Sequence, residues 1–167
     1  MSQGTSVCKT TAERLRELYA PIREELDEVE AMLRDELRSD HPFVDRLVRH
    51  GFRLGGKRLR PALVLLCGKA CGEVVREHMV LATVMEMVHT ATLIHDDVLD
   101  EASIRRHLET VNARWDNEVS VLLGDYLFAR SMCLASSLGS QFASQAISEA
   151  SGQMCEGELC QVGGRGN

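Results

Sequence analysis

Between His89 and Arg106 the chain reads HTATLIHDDVLDEASIRR, an apolar segment of helical spacing that ends in carboxylates and is followed by paired arginines. No other stretch constrains the fold as tightly. Val84, Val88, Ala91, Leu93 and Ile94 make this helix apolar almost all round, which predicts a helix buried in the middle of a bundle. Buried carboxylates need partners or a metal. If the helix continues through Asp100, then Asp96 and Asp100 stand on one face, one turn or about 5.4 Å apart along the axis. Two carboxylates so placed can share a hard divalent cation, and Mg²⁺ completes its octahedral shell with water and substrate phosphates. Arg105 and Arg106 follow closely, and a planar guanidinium pairs with phosphate oxygens in bidentate fashion. The stretch therefore points to a phosphorylated ligand, with a solvated charged helix end as the bland alternative.

The rest of the chain reads as helical too. Aromatics make up only 4% while Ala, Leu, Val, Met and Glu abound, which favours helix over sheet, and 167 residues suffice for one domain with a real core. From Thr10 to Arg38, Leu15, Leu18, Ile22, Leu26, Val29, Met32 and Leu33 recur at spacings of three and four, with Pro21 placed to divide or kink the run. A turn at Asp40-His41-Pro42 precedes a short helix ending near Gly51. A break at Gly72-Glu73 starts the central helix, which carries Met85, Val88, His89, Thr92 and Asp96 down one side. His89 fits either a hydrogen-bonded core histidine or a ligand contact aligned with the acids. After Arg106 we expect a loop, the segment from Thr110 to Asn117, and an apolar run from Val119 through Leu138 in which Asp125 is buried and satisfied locally. A last periodic stretch runs from Phe142 to about Val162, and residues 163–167, GGRGN, read as loop.

The second informative stretch is Gly55-Gly56-Lys57-Arg58-Leu59-Arg60-Pro61, a glycine pair and three cations ahead of a helix expected from Pro61 to about Cys71. Proline suits a first helical turn, and the amides of a helix N-terminus favour anions, so the basic side chains would form a diphosphate cradle. Read alone, the segment serves equally as a basic surface turn. It lacks the GxxxxGK[ST] spacing of a P-loop.

A net charge of -6 argues against general nucleic-acid binding, so any phosphate affinity must be local. The six cysteines contain no CxxC pair and read as small core hydrophobes. The N-terminus shows no secretory signal and no stretch of about 18 uncharged apolar residues is evident. We therefore expect a cytoplasmic protein without a membrane span, with residues 1–9 disordered.

GGKRLRP, HTATLIHDDVLDE, RR, GDYLFAR and EGELCQ, in this order, resemble the trans-isoprenyl diphosphate synthases, particularly the medium to long chain polyprenyl members. The resemblance covers most of the chain from Gly55 onward. It implies an all-α fold, the isoprenoid-synthase helical bundle, with residues 1–167 forming a single partial domain that corresponds to its N-terminal half. It implies a Mg²⁺-dependent prenyltransferase that condenses isopentenyl diphosphate with an allylic prenyl diphosphate such as farnesyl diphosphate, and a homodimer paired through the helices between Val119 and Val162. By resemblance, Lys57, Arg60, His89 and Arg106 bind isopentenyl diphosphate and Arg105 holds the allylic diphosphate. Asp96 and Asp100 coordinate Mg²⁺, with Asp97 as a supporting catalytic acid. The growing tail would run back along the central helix past Thr92, Ala91 and Val88, none of them bulky, so a long product of octaprenyl scale is expected.

Two departures from the family pattern matter. Where the family has a Gly-x-Pro-Thr turn after the arginines, this chain has His107-Leu108-Glu109-Thr110 and keeps only the threonine. The family's second aspartate-rich motif has no counterpart, since no Asp follows Asp125, and the chain alone is expected to be a poor catalyst. Two other readings are a noncatalytic subunit of a polyprenyl synthase dimer and a class I terpene cyclase. The cyclase has no need of a second diphosphate cradle.

Overall fold

The architecture is set by one helix, α5 (Arg76–Leu99), which is buried on nearly every side. The computed structural model describes residues 10–53 and 56–164; the expectations for residues 1–9, for Gly55 and for residues 165–167 lie outside the described residues. Along α5, Val84, Met87, Val88, Ala91 and Ile94 are buried, as the apolar pattern requires. Each large apolar side chain so buried contributes about 1.5–3 kcal/mol. Thr83 and Thr90 are buried as well, and their hydroxyls donate to the carbonyls of Met79 and Glu86, each at 2.8 Å, so no donor is left unpaired.

Among the described residues four α-helices precede α5. The run from Thr10 is split as the proline allows: α1 (Thr11–Tyr19), a 3-10 turn at Ala20–Ile22 that contains Pro21, and α2 (Arg23–Glu36). Thr10 and Glu13 close a reciprocal cap, Glu13 Oε2 accepting from Thr10 N at 2.7 Å and Thr10 Oγ1 from Glu13 N at 3.3 Å. α3 (Pro42–Arg53) follows. α4 (Leu59–Ala70) begins two residues earlier than the proline suggested. The N–H groups of the whole first turn lack intrahelical acceptors, so proline is accommodated at the third position as it is at the first.

α5 ends at Leu99, and Asp100 caps it by donating its N–H to the Asp96 carbonyl at 2.8 Å. The expected loop after the arginines is instead a two-stranded ribbon, β1 (Ile104–Arg105) against β2 (Leu108–Glu109). Arg106 and His107 form its turn with φ of 51° and 67°, the twist that joins antiparallel strands tightly but that asparagine and glycine adopt more readily. The short α6 (Val111–Arg114) leads to α7 (Asn117–Ser136), which packs along α5 in the most extensive contact of the fold. α7 is also, among the described residues, the one helix long and apolar enough by length and composition to cross a membrane, although Glu118, Asp125 and Arg130 interrupt it, so it is not an uncharged run.

The last helix, α8 (Gln141–Gly164), includes Gly163 and Gly164, which had been assigned to a loop. Glycine weakens a helix by about 1 kcal/mol but, unlike proline, leaves its hydrogen bonds intact. Two further expectations are corrected. The Asp125 side chain is 65% exposed, because its position on α7 faces outward beside His95. The five described cysteines are all exposed, since each falls off the buried stripe of its helix; on α8 that stripe is only Ile147 and Ser151.

Candidate active site

Two cavities lie against α5 and share part of a wall. The first, about 470 Å³, is lined by Gly56, Lys57 and Arg60 from the loop and start of α4, by His89 from α5, and by Arg106 from the hairpin turn. The four cationic or imidazole side chains assigned to isopentenyl diphosphate are thus brought together. The second, about 770 Å³ and mostly apolar, lies between α5 and α8; Met85, Val88, Thr92 and Asp96 face Ile147, Met154 and Leu159 across it. Arg60, His89 and Leu93 line both.

The basic cavity is shaped by contacts that the sequence did not reveal. Tyr19 Oη donates to the Lys57 carbonyl at 2.9 Å and pins the loop to α1. Arg58, read as part of the cradle, lines the cavity with its charge already paired: its backbone is left-handed with φ of 52°, and its guanidinium donates to Glu30 and to Glu86, the latter at 2.7 Å. Glu86 is 5% exposed on an otherwise apolar stretch of α5, which was the available signal that it needed a cationic partner. Gly56 permits the close approach of Arg106, for a Cβ there would lie 2.5 and 2.8 Å from its two terminal nitrogens. Burial pushes the His89 imidazole below the ordinary histidine range, and Arg60 and then Arg106 push it the same way against Glu86, so it stays neutral and offers one N–H and one lone pair.

At the acid end the arrangement is different. Asp96 lines the apolar cavity; burial raises its carboxyl above the ordinary range, followed by repulsion from Glu158 on α8 and from Asp100. Asp97 is 1% exposed and points elsewhere: its Oδ1 accepts from Arg105 Nε at 2.8 Å, and its carbonyl accepts from Ala102 N at 2.9 Å. Burial outweighs Arg105 and raises Asp97 too, and its Oδ2 is buried without a hydrogen-bond partner among the described residues. Asp97 therefore ties the helix end to the hairpin and orients Arg105. That bond uses only one of the five N–H donors of a guanidinium. Behind the acids, His95 Nε2 donates to the Val121 carbonyl at 3.0 Å and packs against Gly124, where a Cβ would collide with the ring.

The donor set fits a hard cation. Its oxygens come from carboxylates one helical turn apart, and the crowding of Asp96, Asp100 and Glu158 calls for positive charge. Among the described residues no group of three or more His, Cys, Asp or Glu side chains could hold a metal, so the protein would supply one or two carboxylates and leave the other positions to water and phosphate, as magnesium prefers.

Of the residues expected to set product length, Thr92 and Val88 line the apolar cavity. Ala91 does not share that wall: it is 2% exposed within the core cluster that contains Met87 and Ile94.

The polyprenyl synthetase family model matches residues 41–167. The chain belongs to this family. A prenyl transferase from Synechocystis is 41% identical over 147 residues, which are 86% of this chain and 46% of that protein. Among solved structures, a decaprenyl diphosphate synthase from Rhodobacter capsulatus superposes with a TM-score of 0.84 at 40% identity, covering 89% of this chain and 46% of that one. A polyprenyl synthase from Caulobacter crescentus CB15, complexed with calcium and isoprenyl diphosphate, gives a TM-score of 0.84 at 33% identity over 89% of this chain and 45% of that one. The mostly helical isoprenoid synthase fold is thus shown. This polyprenyl synthetase chain spans about half the length of the curated relatives it matches.

Proposed function

We propose that the two cavities are the two substrate sites of a head-to-tail prenyltransferase. The observation that carries this reading is their shared wall: Arg60, His89 and Leu93 separate a basic pocket from an apolar one, so a diphosphate held in the first has its hydrocarbon end beside the second. Lys57, Arg60, His89 and Arg106 would hold isopentenyl diphosphate. The apolar cavity would take the tail of an allylic prenyl diphosphate such as farnesyl diphosphate, with its diphosphate at Asp96 and Asp100 and against Arg105.

Bound Mg²⁺ would supply Lewis-acid neutralisation of the departing diphosphate. Arg105, oriented by Asp97, and Arg106 add fixed positive charge where negative charge develops, which lowers the barrier to ionisation. In the reaction the allylic C–O bond breaks with its electron pair leaving on diphosphate. The isopentenyl double bond then forms the new C–C bond, and a proton is lost to restore an alkene, with the released diphosphate as the base. Met85, Val88 and Leu159 keep water from the cationic carbon. A terpene cyclase ionises a single diphosphate and leaves the basic cavity without a use.

The small lining residues Val88 and Thr92 favour a long product, and the relative from Rhodobacter capsulatus is a decaprenyl synthase. Leu122 of α7 and Phe142 of α8 are exposed apolar residues, 60% and 81% accessible, which supports a homodimer through these helices. Substrates that carry diphosphates are water-borne, which suits the cytoplasm.

The test is a pair of titrations on the 167-residue chain. Isopentenyl diphosphate should bind without metal and lose at least tenfold in affinity in Lys57→Gln and Arg60→Gln, whereas farnesyl diphosphate should need Mg²⁺ and lose that dependence in Asp96→Ala. Isopentenyl diphosphate affinity unchanged by both cation substitutions would overturn the assignment. Turnover, followed as labelled isopentenyl diphosphate extracted into organic solvent, should be low, because the described residues gather acids at one helix end only.

A further inference from the structure

Outside the two substrate cavities there is a third hollow, about 450 Å³, between α2 and α3. Its floor is apolar: Leu33 and Leu37 are buried and Phe52 closes one side. Its rim is cationic, with Arg34 from the end of α2, Arg38 just beyond it, and Arg49 and Arg53 from α3, in a chain whose net charge is -6. Pairing accounts for only part of that charge. Arg49 is held by Asp45 at 2.7 Å, and Arg38 meets Asp35 only at 3.6 Å with both side chains 71% exposed. Arg34 and Arg53 have no acid partner among the described residues. Each stands in the last turn of its helix, where a cation complements the helix dipole, but that role requires neither an apolar floor nor arginines facing one another from two helices.

The back wall is Arg58 with Glu30, and Arg58 also lines the basic substrate cavity. The hollow therefore lies directly behind the GKR loop.

We propose that this hollow is a second anion site, separate from the substrate cavities, that binds an organic diphosphate carrying a short apolar group. Guanidinium forks from two helices match the oxygens of a diphosphate, and the floor of Leu33, Leu37 and Phe52 takes the hydrocarbon. The volume lies at the small end of ligand pockets and suits about ten carbons rather than a long prenyl tail. The class of ligand follows from the hollow itself; its identity as a short prenyl diphosphate rests on the proposed function.

The experiment uses the 167-residue chain with Lys57→Gln and Arg60→Gln, in EDTA, so that both substrate cavities are silenced. Geranyl diphosphate, titrated calorimetrically, should still bind saturably at one site, and adding Arg34→Gln with Arg53→Gln should weaken it at least tenfold. Both arginines are exposed, so helicity and melting temperature should not change; should the combined variant unfold, Arg53→Glu alone on the same background must give the loss by repulsion. Inorganic diphosphate should bind at least tenfold more weakly than geranyl diphosphate, and equal affinity would overturn the organic part of the assignment. No saturable binding would overturn the site. Binding to phosphatidylglycerol vesicles that depends on Arg34 and Arg53, without geranyl diphosphate binding, would replace the site with a membrane contact. Failure of the substrate reading shows separately, as isopentenyl diphosphate affinity indifferent to Lys57 and Arg60.

Discussion

In the wall of the basic cavity one cation is neutralised in advance and the loop is held: Arg58 is clamped between Glu30 and Glu86, and the loop that carries Lys57 is pinned by Tyr19. At the acid end the negative charge is only partly offset: Arg105 pairs with Asp97, whose other oxygen is buried without a hydrogen-bond partner among the described residues, burial together with Glu158 and Asp100 raises Asp96, and the hairpin turn is made from two non-glycine residues in left-handed conformation. Both regions hang on α5. The contrast shows that one pocket is organised before its ligand arrives, while the other stores a demand for positive charge.

The largest effect expected from this contrast is in the clamp. Glu86→Ala leaves the half-buried Arg58 with one partner and should cost about 3 kcal/mol in urea denaturation, as breaking one side of a buried ion pair does. A loss under about 0.5 kcal/mol, the size of an ordinary surface change, would show that the basic cavity is not held by this clamp.

Next comes the tail cavity. Ala91→Phe pushes a ring into the core and should destabilise by about 1–3 kcal/mol, whereas Thr92→Phe projects into the apolar cavity and should leave stability nearly unchanged while weakening farnesyl diphosphate binding. If the two substitutions exchange these effects, the wall has been assigned to the wrong residue.

A smaller gain is expected at the hairpin. His107→Gly removes the penalty of a side chain at φ of 67° and should raise stability by about 1 kcal/mol, less the entropy glycine adds to the unfolded chain. A lower melting temperature would mean that the turn carries little strain.

The smallest effect is a pH dependence. The folded state holds His89 below the unfolded histidine value of about 6.5, so its contribution to stability is complete above that value and is lost as pH falls through the folded value. His89→Gln should flatten the stability profile in that acid window, as read by denaturation at several pH values, and an unchanged profile would assign the slope to another group.

The central helix was the most legible part of the sequence. Met85, Val88, His89, Thr92 and Asp96, placed on one side by helical spacing, all line the same cavity. What periodicity could not supply were contacts between distant segments. Arg58 looked like its neighbours Lys57 and Arg60, and only the carboxylates of Glu30 and Glu86, each 28 residues away, take up its charge within the cavity wall. Ala91 was placed beside Thr92 by counting along the chain, but adjacent residues on a helix point about 100° apart, and one step separates cavity from core. Asp125 and the exposed cysteines failed for the related reason that a residue type states a preference for burial, while the neighbouring helix decides which face is covered. The hairpin was hidden by its residues, since Arg106-His107 carries none of the usual turn chemistry.

The bond from Asp100 N to the Asp96 carbonyl closes a single helical ring whose two ends are the carboxylate-bearing residues. The gap between the acids is thereby written in the main chain, as a gauge block is cut in steel, and no side-chain adjustment resets it. Inserting one alanine between Val98 and Leu99 would leave every functional group present yet turn the second acid about a quarter revolution away from the first. Such a chain would keep its functional groups and lose its measure.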